Sequence, residues 1–167
     1  MKLSKRSIYI ILVIVSTIIV DQISKILVRA NINPSKQIQL IGEYFIMMNV
    51  ENEGAFLGMG SDLNETLRII LLLILPILVL GFVLRYIIKD KTLDNWSLFA
   101  FSSIIGGGIA NVFDRIAYGS VTDFFYIKLT DVLRTGIFNM ADLSVTTGMI
   151  ILVIISFRKK KEIVESS

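Results

Sequence analysis

The side chains able to do chemistry in this chain are carboxylates, because its 167 residues include neither Cys nor His. Thiol catalysis, Ser-His-Asp triads, CxxC redox pairs, HExxH zinc sites and a lipid-modified cysteine of its own are thereby excluded. Two acids stand in settings that suit catalysis. Asp123 lies in Val121-Thr122-Asp123-Phe124-Phe125, alone among apolar and aromatic neighbours, where desolvation would raise its pKa. Asp142 lies in Phe138-Asn139-Met140-Ala141-Asp142 at the mouth of an apolar run. There Asn139 is equally well placed to be a helix N-cap, with Asp142 an acid of the first turn. If the helix before Asp123 and the helix holding Asp142 pack side by side, the two carboxylates can meet and share one proton, since the first charge opposes the second ionisation. One would act as general base toward a water and the other as general acid toward the scissile amide. That is aspartic protease chemistry, and it calls for neither metal nor cofactor.

Other polar groups recur at helical spacing. Asp21 and Lys25 are one turn apart and can pair. A structural ion pair outweighs a direct chemical role for them, because a paired lysine quenches the basicity of its carboxylate. Asn111, Asp114 and Arg115 share a helix face at i, i+3 and i+4, a costly grouping close to lipid, although Asp114 and Arg115 can also fasten the helix end to the next loop. Just before them Gly106, Gly107 and Gly108, with Ala110, strip bulk from the helix so that a neighbouring helix or a ligand can approach its backbone.

The elements that must position these groups are membrane spans. A 54% hydrophobic composition and a mean hydropathy of +0.73 are too apolar for a soluble domain of this size. Runs at about residues 8–28, 67–88, 96–113 and 140–157 are long enough to cross a hydrocarbon core of about 30 Å. The first resembles the start of a signal peptide, but no small-residue cleavage site follows, so it reads as a retained span. Ten of the 17 basic residues fall on the side of the termini, which places both termini in the cytoplasm. Ten of the 14 acidic residues fall on the opposite side. The basic residues border apolar runs and are not interleaved with aromatics, which argues against nucleic acid as a partner.

Two outer segments, Ala30 to Asn64 and Asp114 to Asn139, are too long for simple turns. Gln37 to Val50 is rich in strand formers before Asn52, Glu53 and Gly54 supply a turn, and a small sheet over the membrane is expected. Val121 to Leu129 is also strand-like, with an interfacial helix through Thr130 to Arg134 as an alternative. Residues 1–167 read as one integral membrane unit: an all-α four-transmembrane-helix bundle with a small β-sheet cradle and an interfacial helix.

Five blocks then resemble, in order and in placement, the signatures of lipoprotein signal peptidase, also called signal peptidase II. They are Asp21-Gln22-Ile23-Ser24-Lys25, Asn52-Glu53-Gly54-Ala55-Phe56, Gly106-Gly107 with Asn111-Val112-Phe113-Asp114-Arg115, Val121-Thr122-Asp123-Phe124, and Phe138-Asn139-Met140-Ala141-Asp142. The resemblance implies a bacterial cytoplasmic-membrane aspartic endopeptidase without cofactor, cutting prolipoproteins just before the diacylglyceryl-modified cysteine at the extracytoplasmic face. It makes Asp123 and Asp142 the catalytic dyad. Asp21, Lys25, Asn52, Gly54, Asn111, Asp114, Arg115, Asn139 and Ala141 would bind substrate and lipid or hold the dyad. The sequence departs from the usual pattern at Ala110, Leu143 and Leu57, none of which touches a carboxylate. A monomer is expected, since four spans and two outer segments can enclose one site. The rival from another class is an ion- or proton-coupled transporter subunit, which intramembrane carboxylates and glycine-rich helices would also suit, but whose ionisable groups belong near mid-depth.

Overall fold

The computed structural model describes residues 3–55, 59–60 and 62–165. Phe56, read above in the second signature block, and Leu57, read as a departure from the pattern, lie outside the described residues. Among the described residues four helices are long and apolar enough to span a membrane: α1 (Lys5–Asn31), α2 (Glu65–Lys89), α3 (Asn95–Tyr118) and α4 (Met140–Glu165), of which Met140–Arg158 forms the apolar part. Between them lie strands β1 (Gln37–Ile41), β2 (Phe45–Asn52) and β3 (Val121–Ile127). The expected spans fall inside these helices, and the difference that bears on the site is at the end of α3. It runs five residues beyond Phe113, until Gly119 adopts the left-handed conformation (φ 79°) and returns its N–H to the Arg115 carbonyl at 3.1 Å. Asn111, Asp114 and Arg115 are thus held on a rigid helix and not on a loop.

Helix starts follow from capping groups. Ser4 caps α1, Asn64 caps α2 and Asp94 caps α3, each accepting a backbone N–H three residues on. Within α2 a π-helical turn at Ile70–Ile74 precedes Pro76. A proline cannot donate to the fourth residue before it and its ring crowds that carbonyl, so the looser turn accommodates it. At the end of the bundle that carries the first helix start, Arg6 donates to the carbonyls of Ile87 (3.0 Å) and Leu93 (3.3 Å), tying α1 across the α2–α3 connection.

α3 is the core helix. In its most apolar stretch 56% of residues are buried, against none in that of α2, whose side chains are left for lipid. Three adjacent glycines let α3 touch three neighbours at once. A Cβ on Gly106 would come within 2.7 Å of Thr17 on α1, one on Gly107 within 2.5 Å of the Ala141 carbonyl oxygen on α4, and one on Gly108 within 2.6 Å of Leu80 on α2. Helix packing therefore accounts for the glycine run, and its lost bulk is filled by the bundle itself and not left open for a ligand.

The expected sheet is three-stranded and antiparallel in the order β1-β2-β3, with Val50 opposite Asp123 and Asn52 opposite Val121. Its underside is seated on the bundle by Phe124, which packs with Val28, Ile32, Met47, Phe125 and Met140. The expectation of an interfacial helix at Thr130 to Arg134 is corrected: that stretch is a turn, with no helical residue. The N–H groups of Leu129 and Thr130 both donate to the Leu133 carbonyl, and the Thr130 hydroxyl accepts the Leu133 N–H, so a side chain takes the donor a helix would have used.

Candidate active site

β3 carries Asp123 to the rim where α3 ends and α4 begins, and the carboxylate is 3% exposed. Each of its oxygens receives one amide. Asn52 on the adjacent strand donates to Oδ2 at 2.8 Å, and Asn139 donates to Oδ1 at 2.7 Å. The Asn52 amide is oriented by its surroundings, since its oxygen accepts the Gly54 N–H at 2.9 Å and its nitrogen also reaches the Ala55 carbonyl at 3.0 Å.

Asn139 is oriented by a helix cap. Its Oδ1 accepts the backbone N–H of Asp142 at 2.9 Å, and Asp142 Oδ2 accepts the backbone N–H of Asn139 at 3.2 Å. This reciprocal pairing is the capping arrangement anticipated for α4. It is also a bridge between the two acids: with its oxygen committed to the helix, the Asn139 amide can present only its nitrogen to Asp123. Capping and a catalytic role are thus compatible.

The other Asp142 oxygen is held by Asn111, whose Nδ2 donates to Oδ1 at 2.9 Å. Here a buried cation sets the orientation. Lys25 Nζ donates to Asn111 Oδ1 at 2.9 Å while pairing with Asp21 at 2.7 Å and Asp114 at 2.6 Å, with all three charged side chains fully buried. Asp21 in turn accepts the Ala141 N–H at 2.8 Å, joining α1 to the first turn of α4. The expected Asp21–Lys25 ion pair is present, and Asp114 completes it. Gln22, to which sequence reasoning gave no role, donates to Asp114 at 2.9 Å. Arg115 donates to the Gly54 carbonyl at 2.7 Å and to the Asn111 carbonyl at 3.3 Å, fastening the loop after β2 to α3.

All eleven residues singled out from the sequence therefore meet in one hydrogen-bonded network. Electrostatically, its two halves differ. Burial pushes the Asp123 carboxyl up to about 6, the Asn52 and Asn139 hydrogen bonds pull it back, and the charge of Asp142 adds to the rise. Among the described residues no group of three or more His, Cys, Asp or Glu is placed to hold a metal ion. Such a pair of amide-held carboxylates, Asp123 buried and Asp142 half-buried, with the former protonatable near neutrality, can activate a water and protonate a leaving group.

Comparison with known proteins decides between a peptidase and a transporter. A profile of the signal peptidase (SPase) II family matches residues 13–158. The chain belongs to the signal peptidase II family. A lipoprotein signal peptidase of Thermodesulfovibrio yellowstonii is 33% identical over 159 residues, covering 95% of this chain and 99% of that protein. One of Clostridium novyi is 30% identical over 151 residues, covering 90% and 99% respectively. Among solved structures, a bacterial membrane enzyme determined by the in meso method at 2.3 Å resolution superposes with a TM-score of 0.80 at 26% identity, over 92% of this chain and 90% of that one. The chain is accordingly a multi-pass membrane peptidase acting in lipoprotein processing, and the transporter alternative finds no support in its relatives.

Proposed function

We propose that this signal peptidase II is an aspartic endopeptidase whose dyad is Asp123 and Asp142, cutting the signal peptide from prolipoproteins immediately before the diacylglyceryl-modified cysteine. The observation that carries this reading is the Asn139 bridge, which holds Asp123 at 2.7 Å and Asp142 at 2.9 and 3.2 Å from one residue. Two acids tied to the same amide and its backbone share one electrostatic environment, so one proton between them is the stable charge state. The ionised member takes a proton from water as the water adds to the scissile carbonyl. Its protonated partner gives a proton to the departing amine.

The remaining site residues support that exchange. Asn52, Asn111 and Asn139 orient the acids, and the Asp21–Lys25–Asp114 cluster keeps Asn111 turned toward Asp142. Among the described residues Arg115 Nε is buried without a hydrogen-bond partner, a donor suited to a substrate carbonyl exposed where the signal helix unwinds. The dyad lies at the end of the bundle away from both termini. The bias of basic residues to the side of the termini supports cytoplasmic termini and a dyad near the extracytoplasmic face of the bacterial cytoplasmic membrane. We read residues 1–167 as one peptidase domain acting as a monomer among membrane lipids.

The test is to express Asp123→Asn and Asp142→Asn singly with a prolipoprotein in the same membrane and follow conversion by gel mobility. Each variant is expected to insert normally and leave the precursor unprocessed. Continued cleavage by either one removes that residue from the mechanism.

A further inference from the structure

Arg29 belongs to none of the signature blocks, yet it touches three elements of the site at their junction. It lies near the end of α1, one turn beyond Lys25. Its Nε donates to the Thr122 hydroxyl at 2.6 Å, and that hydroxyl donates onward to Glu51 Oε1 at 2.8 Å. Its guanidinium carbon stands 4.1 Å from the centre of the Tyr118 ring, and its Nη2 stands 3.6 Å from Asp114. Ser120 closes the group by donating to the second Glu51 oxygen at 2.6 Å.

The arrangement is more than a surface ion pair. Glu51 is 4.0 Å from the guanidinium and its side chain is 47% exposed, so that pairing contributes little by itself. Thr122 is fully buried, and a charge-assisted hydrogen bond there is among the stronger contacts available. The geometry is what matters. Tyr118 is the last residue of α3 and Thr122 the second of β3, so Arg29 grips the chain on both sides of the Gly119 turn from which β3 departs. Glu51 is the register partner of Thr122 on β2, and Asp123 and Asn52 are the next residues along their strands. The grip therefore fixes the backbone that delivers both the acid and one of its amides.

We propose that Arg29 is a positioning residue for the reaction, acting through Thr122 to set the place of Asp123 relative to Asp142. The inference rests on the reading of Asp123 as a catalytic acid. Adjacent strand residues face opposite ways, so Thr122 holds the strand without entering the site. A shift of about 1 Å in a reacting group costs up to about 10²-fold in rate. Binding of the signal helix, which the rest of the bundle provides, is left largely alone.

Purified Arg29→Met, Thr122→Val and Thr122→Ser are compared with the parent on a synthetic diacylated prolipopeptide, with kcat and KM normalised to folded protein. Arg29→Met and Thr122→Val are expected to lose about tenfold or more in kcat with KM within about twofold. Thr122→Ser, which keeps the hydroxyl, is expected to recover most of the rate. Thr122→Val retains the Arg29 charge and nearly the shape of threonine, so the valine and serine pair decides the matter even if Arg29→Met does not fold. An unchanged kcat in Thr122→Val overturns the proposal. So does serine being as impaired as valine, or a loss carried by KM. Asp123→Asn is run alongside: if it retains activity, the dyad reading fails, whereas an inactive Asp123→Asn beside a fully active Thr122→Val sinks the role of Arg29 alone.

Discussion

Two groups of carboxylates share the rim of this bundle, and they are held in opposite ways. Asp21 and Asp114 each lie within 2.7 Å of the Lys25 ammonium, and neither is exposed. Among the described residues no cation is in salt-bridge contact with Asp123 or Asp142, and amide N–H groups from Asn52, Asn111 and Asn139 occupy their oxygens. The ammonium ties its two acids together across α1 and α3. Amides satisfy the geometry of an acid while leaving it able to take up a proton. On the proposed mechanism the same residue type is a fastener in one place and a reagent in the other, and the nature of the donor makes the difference.

That contrast can be broken at several points. The largest effect is expected at the amide-held acids: Asp123→Asn or Asp142→Asn should lower turnover by roughly 10²–10⁴-fold, with thermal melts in detergent close to the parent. Next comes the cation. Lys25→Met leaves Asp21 and Asp114 buried without their partner and should cost about 3–5 kcal/mol of stability, seen as loss of folded protein on size-exclusion chromatography before any assay of cleavage. Asp114→Asn should weaken both stability and activity, because it loosens the ammonium that orients Asn111. Asn139→Ala is intermediate, with about 1–3 kcal/mol lost in the melt and reduced cleavage, because it removes both a helix cap and the bridge between the acids.

The smallest effect concerns pH. Asp123 has a folded-state pKa raised to about 6 from the ordinary 3.8, so the folded chain binds its proton more readily than the unfolded one. Its contribution to stability is fully present below the ordinary value and is lost as pH rises through about 6. In Asp123→Asn that loss should vanish. The difference in Tm between parent and variant should drift by a few degrees across this window, and a flat difference would mean that Asp123 is already ionised when folded.

The spans and most of the site could be read in the sequence because both obey short periods. Asp21 with Lys25, and Asn111 with Asp114 and Arg115, are neighbours along one helix, and one turn of spacing is enough to group them. The strand character of Gln37 to Val50 and of Val121 onward was visible in branched and aromatic residues. What the sequence could not show was which groups from different elements meet. Nothing local indicates that Lys25 chooses Asp114 as well as Asp21, that Asn139 spans both acids, or that Gln22 and Arg29 join them. The one signal for Arg29 was its position four residues after Lys25, on the same face. Thr130 to Arg134 misled for a local reason, since a threonine hydroxyl took the backbone donor that a helical turn needed.

The bare stretch of α3 has a practical consequence. Successive helix residues point about 100° apart, so Gly106, Gly107 and Gly108 are read by Thr17, Ala141 and Leu80 in turn, and α3 can neither roll nor slide without striking one of them. An engineer who wishes to open space beside this stretch for a bulkier substrate has nothing left to trim at these three positions. Space must be carved from the facing side chains, and Leu80 is the most forgiving of these because it belongs to the helix with the least buried apolar surface.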